Sequence, residues 1–215
     1  MFGGRESAVD LISKRIYPED LEILYSDPFT DASLARDFDI RSGEWSVEDG
    51  WLTGKNPLNA PGMVISRAAY CEDVMLEFRA RTVLPSTRDI NVMWNGSWDF
   101  DTNTRSVAYV AGLEGWWGRK VGFEKSPQYK LMVATGLFDF EPGCTYLMQC
   151  GSVEGHIFIA VDGRLLLEVM DPDPIDTSKY GLIGFEAYCS HIQFTDFKVR
   201  RITYTPLDRT YDPEF

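Results

Sequence analysis

Two-residue alternation limits what this chain can fold into more than any other feature. In DVMLEFRARTV (73–83), Val74, Leu76, Phe78 and Ala80 take every second position, and Met75, Glu77, Arg79 and Arg81 take the others. Successive side chains of a strand point to opposite faces, so the segment predicts a strand with one face on a core. Segments 106–113, 129–135 and 144–152 are further strand candidates. Residues 156–171 hold two apolar runs joined by Asp162-Gly163, which accepts the backbone of a tight hairpin. Runs 180–188 and 191–202 follow, linked through Cys189-Ser190. Helical patterns are scarce: one candidate covers 6–14, capped by Ser7, and a short turn covers 33–38. Ten or more short strands with little helix predict an all-β sandwich or barrel. The Pro- and Asp-rich stretch 171–179 reads as a loop between strands. With no internal repeat or linker, residues 1–215 are expected to form one domain. Its core would be 25–202, with an N-terminal extension (1–20) and a tail (203–215) that runs over the surface or frays.

Charge narrows the function. The formal net charge is −12, so phosphate backbones and anionic membranes are repelled, and neither nucleic acid nor membrane is expected as a partner. No apolar run is long enough for a membrane helix. The first 25 residues are charged throughout and lack an apolar signal core. The four cysteines show no CxxC pairing. Free thiols and a cytoplasmic location are the expectation.

The tryptophans cluster. Segments 90–98 (INVMWNGSW) and 112–120 (GLEGWWGRK) contain Trp94, Trp98, Trp116 and Trp117 beside amides, glycines and cations. Aromatic rings stack on the C–H faces of sugars while polar neighbours bind hydroxyls. Burial in a core satisfies the same rings. Trp94 alternates with Met93 and fits a core. Trp98 follows a turn and fits a rim. Trp116 and Trp117 are adjacent, so one can pack inward while the other faces a ligand. Trp45 and Trp51 read as structural.

Three stretches carry a family likeness: DPFTDASLARDFDIRSGEWSVEDGWLTG (27–54), DVMLEFRA (73–80) and YGLIGFEAYCSHIQFTDFKVRRI (180–202). Their order resembles the concanavalin A-like jelly rolls of carbohydrate-active bacterial proteins. Within these it is similar to 3-keto-disaccharide hydrolase domains and to galectin-like domains of sugar-utilisation clusters. The resemblance implies a two-sheet antiparallel jelly roll with a saccharide groove. Glu77 and Arg79 match the keto-sugar family's Glu-Phe-Arg strand. Asp89, Ile90 and Asn91, then Asn95-Gly96, stand where that family has Asn-Ser-Gly and Arg-Gly.

On this reading the catalytic candidates are Glu77, Arg79 and His191. The substrate-binding candidates are Asn91, Asn95, Trp98, Tyr109, Trp116, Arg119, Glu186 and Gln193. Glu77 or His191 would move a proton, and an arginine would hold a developing anion. His191 and Glu186 are expected on adjacent strands of one groove. A solvated strand face with cross-strand ion pairs explains Glu77, Arg79 and Arg81 equally well. Two histidines in the whole chain argue against a zinc site, and no cofactor is expected. Asp99-x-Asp101-x-Asn103 matches the first ligand positions of a calcium loop but lacks its glycine and final glutamate. The jelly-roll likeness implies that a structural Ca²⁺ is worth testing there or in the 171–176 loop.

Three functions therefore compete. The first is an intracellular lyase or hydrolase acting on a small or modified saccharide. The second is a lectin-like binding protein without an acid/base pair. The third is a sandwich that forms homo-oligomers, with tryptophans as interface anchors.

Overall fold

The computed structural model of the chain describes residues 8–115, 118 and 120–208. Two antiparallel sheets face each other. The eight-stranded sheet runs Arg164–Met170, His156–Val161, Tyr146–Val153, Val74–Thr82, Ser190–Arg201, Trp51–Asn56, Glu44–Glu48, and Ile23–Asp27 adds to the free edge of Ser190–Arg201. The seven-stranded sheet runs Met132–Thr135, Val121–Ser126, Ala108–Leu113, Ile90–Gly96, Leu182–Ala187, Gly62–Ser66, Phe38–Ile40.

The alternation read from the sequence builds the core. Leu76, Phe78 and Ala80 from one sheet meet Val92, Trp94, Phe185 and Ala187 from the other, and all are buried. Phe78, Phe185, Phe194 and Phe197 pack edge-on or tilted at 4.4–5.8 Å between centroids. Burying each such ring contributes about 1.5–3 kcal/mol. A polar thread also crosses the core. The Trp94 indole donates to Ser152 Oγ at 3.0 Å, and Ser152 donates to Asn95 Oδ1 at 2.9 Å.

The local signals behave as their chemistry requires. Asp162 and Gly163 both have positive φ, 50° and 75°, and close the hairpin between His156–Val161 and Arg164–Met170. The expected turn at 33–38 is a helix, Asp31–Asp37, opened by a capping box between Thr30 and Ser33.

The N-terminal helix expected over 6–14 is absent from its described part. Residues 8–16 instead carry two short strands, Val9–Asp10 and Lys14–Ile16, which pair with each other, and Lys14–Ile16 also pairs with Thr205–Pro206. A nine-residue helix is marginal in water. The paired form buries Leu11 and Ile16 completely against Met75, Val153, Phe158 and Ile202 on the outer face of the eight-stranded sheet. Thr205–Pro206, exposed on the surface, is thus tied into a sheet.

Candidate functional site

The residues singled out in the sequence do not converge on one hollow. Leu182–Ala187 belongs to the seven-stranded sheet and Ser190–Arg201 to the eight-stranded one, and Cys189, at φ 50°, lies in the connection. Because Phe185 and Phe194 meet inside, Glu186 and His191 leave from opposite outer faces. The expected pairing of His191 with Glu186 in one groove is therefore corrected. Asn95 and Tyr109 sit in the interior. Asn95 donates to the carbonyls of Glu72 and Tyr180, and Tyr109 OH donates to Asp171 at 2.8 Å. Neither offers a surface to a ligand. Trp116, Trp117 and Arg119 lie outside the described residues.

Glu77, Arg79, Gln193 and His191 share the outer face of the eight-stranded sheet. Glu77 and Arg79 line a groove of about 550 Å³ with Gln149, Lys198 and Arg200. The buried Glu77 carboxylate accepts from Lys198 at 2.7 Å, Gln149 at 3.0 Å and Arg200 at 3.2 Å. Burial pushes this carboxyl up, but the hydrogen bonds from Lys198 and Gln149 and the charges of Arg200 and Lys198 hold it below the usual range. A carboxylate so fully engaged is a poor proton carrier. Arg79 pairs with Asp196 at 3.4 Å, and Arg81 donates to Gln193 and stacks on Trp51 at 4.1 Å. Around Glu77 the face is a network of mutual pairs lining a groove.

The outer face of the seven-stranded sheet is built differently. Cross-strand register sets Glu186 beside Asn91, and Asn91 beside Gly112. Glu124 lies two positions along, on the strand next to Ala108–Leu113. Arg105, from the short hairpin Trp98–Asp99/Thr104–Arg105, reaches over this face to bond both Glu186 and Glu124. Burial lowers the Arg105 pKa, but the charges of Glu186 and Glu124 outweigh it and hold the guanidinium charged. Asp89 completes the group and accepts a hydrogen bond from Asn91 Nδ2. Asp89 is buried and holds a positive φ of 79°, a backbone uncommon outside glycine. Burial, aided by the nearby charges of Glu186 and Glu124, pushes its carboxyl up to about 7.

Two further features mark this cluster. Asn91 Oδ1 is buried and has no hydrogen-bond partner, a condition that asks for an explanation. Gly112 makes room for it: a Cβ there would lie 2.2 Å from both Asn91 Oδ1 and Ile90 O. Arg105 also lines a hollow of about 230 Å³ with Trp98, Ser126 and Tyr129. Trp98 is nearly buried, with Arg41 over its ring at 5.7 Å. Arg88, next to Asp89, lines a second hollow of about 640 Å³ with Phe138 and Phe140.

Arg105 and Glu124 were not singled out from the sequence, and Asp89 entered only as a departure from the keto-sugar motif. Glu124 had a readable signal, since it alternates with Val121 and Phe123. Arg105 had none, because a two-residue strand carries no period.

Some oxygens of the loops considered for calcium are engaged within the protein. Asp99 Oδ1 accepts from the amides of Asp101 and Thr102, and Asn103 Oδ1 accepts from Arg41. In the 171–176 loop Lys125 sits 3.0 Å from Asp171 and fills the place of a cation. Among the described residues no group of three His, Cys, Asp or Glu side chains is arranged to hold a metal. No helix is long and apolar enough to cross a membrane.

No family model matches the chain, and no curated protein matches it. Solved structures do. The CBM66 carbohydrate-binding module from Bacillus subtilis superposes with a TM-score of 0.61 at 15% identity, over 76% of this chain and 95% of the module. A Bacillus subtilis protein of unknown function with a galectin-like fold gives 0.62 at 17%, over 83% and 96%. The Bacillus licheniformis β-glucanase gives 0.57 at 13%, over 83% and 98%. At such identities the likeness is one of fold, and fold alone assigns no chemistry. The chain is an all-β, concanavalin A-like jelly roll of two antiparallel sheets.

Proposed function

We propose that the chain is a carbohydrate-active enzyme, a hydrolase or lyase, that acts on a small saccharide at the outer face of the seven-stranded sheet. Asp89 handles the proton there. The observation that carries this reading is the buried Asp89 carboxyl, bonded to Asn91 and set near the Glu186–Arg105 pair. Two carboxyls whose surroundings differ this much divide the work of acid and base. Asp89, titrating near neutrality, gives a proton to a leaving glycosidic oxygen or takes one from carbon. The buried Asn91 amide holds the Asp89 carboxyl in place, and Arg105 fixes the orientation of Glu186. Trp98 and Tyr129 supply apolar faces in the adjoining hollow. The solved structures of similar fold include a carbohydrate-binding module and a β-glucanase, which supports a saccharide as ligand. Exposed free thiols at Cys71 and Cys144 favour a reducing compartment and so an intracellular site of action.

A lectin-like function is the second reading. The close engagement of Glu77 in its own network favours it, because Glu77 is then not free to carry a proton. A saccharide screen that follows both product formation and tryptophan fluorescence decides between the two. Turnover that is lost in Asp89→Asn while binding persists supports the enzyme. Binding by the parent with no turnover on any bound saccharide establishes the lectin.

A further inference from the structure

A second pocket lies where strands Trp51–Asn56 and Val74–Thr82 end and Ser190–Arg201 begins. It has a volume of about 370 Å³, within the range of ligand sites. Its wall brings together Lys55, Arg88 and His191, with Ser86, Thr87 and Asn56. None of its lining side chains is acidic. In a chain of net charge −12, that separation of sign is unusual. Among the described residues, neither Lys55 nor Arg88 is held in an ion pair, whereas Arg79, Arg105, Lys125, Lys198, Arg200 and Arg201 all are.

The register explains the convergence. Lys55 and His191 are direct cross-strand partners. Their side chains leave the same outer face, Glu44 flanks Lys55 on its other side, and burial with the Lys55 charge lowers the His191 pKa and favours a neutral imidazole beside the ammonium. Ser86 Oγ accepts from the His191 amide at 3.0 Å. The Ser86 hydroxyl proton thereby remains available to a further acceptor. Glu48 acts on His191 from the strand beyond Trp51–Asn56, but less than burial and Lys55 do.

We propose that Lys55, Arg88 and His191 form a binding pocket for a small oxyanion, the phosphoryl or carboxylate group of a metabolite. The two cations supply charge, and the Ser86 hydroxyl and His191 imidazole supply directed donors. Arg88 adjoins Asp89 and its charge acts on that carboxyl, but anion binding here does not require saccharide chemistry.

The chain's two histidines make the test direct. His156 is buried and bonded to Glu168 at 2.7 Å, so it serves as an internal control. The imidazole proton resonances are followed by NMR during titration with inorganic phosphate and, separately, with acetate. A saturable shift of His191 with His156 unmoved is expected. Response to phosphate alone identifies a phosphoryl pocket, to acetate alone a carboxylate pocket, and to both a general oxyanion pocket. Lys55→Met and Arg88→Met, at exposed positions, are each expected to weaken binding about tenfold, the loss of one charge-assisted hydrogen bond. Absence of a saturable His191 shift with either anion overturns the proposal. So does unchanged affinity in both variants. Saccharide turnover does not enter this readout, so the two readings fail separately.

Discussion

The rings of Phe185 and Phe194 lie 4.4 Å apart, centroid to centroid, on strands from opposite sheets. Glu186 follows one and Gln193 precedes the other, so their polar groups emerge on opposite sides of the molecule. One aromatic contact thereby divides the polar residues into two populations. Those around Glu77 on the eight-stranded sheet pair with one another. Those on the seven-stranded sheet leave an amide oxygen unpartnered and a carboxyl raised.

Asp89 ties stability to pH. Its folded value of about 7 exceeds the unfolded value of 3.8. The unfolded chain therefore gives up this proton first, and stability is lost as pH rises from about 4 to 7. The full loss is at most about 4 kcal/mol. Asp89→Asn removes that dependence, so the variant is expected to melt above the parent at pH 8 and close to it at pH 4. Thermal melts at the two pH values check this.

Glu77 acts in the opposite sense. Its folded carboxyl lies below the usual value, so its contribution is present above the unfolded pKa and is lost as pH falls through the folded one. Glu77→Gln leaves Lys198 and Arg200 without their counter-charge and is expected to cost about 3 kcal/mol in denaturant unfolding. Any saccharide turnover per folded molecule should survive. Complete loss of turnover with a folded variant would restore Glu77 to a chemical role.

Arg105 bridges two buried carboxylates. Arg105→Met leaves both unpaired and should destabilise by roughly 3–5 kcal/mol. Arg105→Lys keeps the charge but cannot span both partners as a planar fork, so it should recover only part of the loss. Urea midpoints of the three proteins give the order.

Gly112 is required by its neighbour. Gly112→Ala puts a methyl 2.2 Å from Asn91 Oδ1, so Asn91 must move and its bond to Asp89 breaks. A loss of about 1–3 kcal/mol is expected, in the range of other overpacked sites. Saccharide binding measured by tryptophan fluorescence should fall with it.

Most of the fold was legible because alternation is a local property. Val74 through Arg81 announced both faces of their strand, and Asp162-Gly163 announced its turn. Residues 8–16 misled because the strand form depends on Thr205–Pro206, a partner far off in sequence. The site was legible residue by residue but not as an assembly. Glu77, Glu186 and His191 each read correctly as facing outward. Alternation says only that a side chain leaves the core, and two sheets offer two ways to leave it. Which way was settled by the crossing at Cys189, where a two-residue connection looked like a hairpin.

The small sheet joining Lys14–Arg15 to Thr205–Pro206 sets an order of events. Closing a loop that spans nearly the whole chain costs more entropy than any local hairpin, so this sheet forms last. During synthesis Lys14–Arg15 waits until Thr205–Pro206 has been made. Val9, Leu11 and Ile16 stay wet and sticky until Val153, Phe158 and Ile202 arrive to cover them, and in that interval the segment is open to aggregation or to a chaperone.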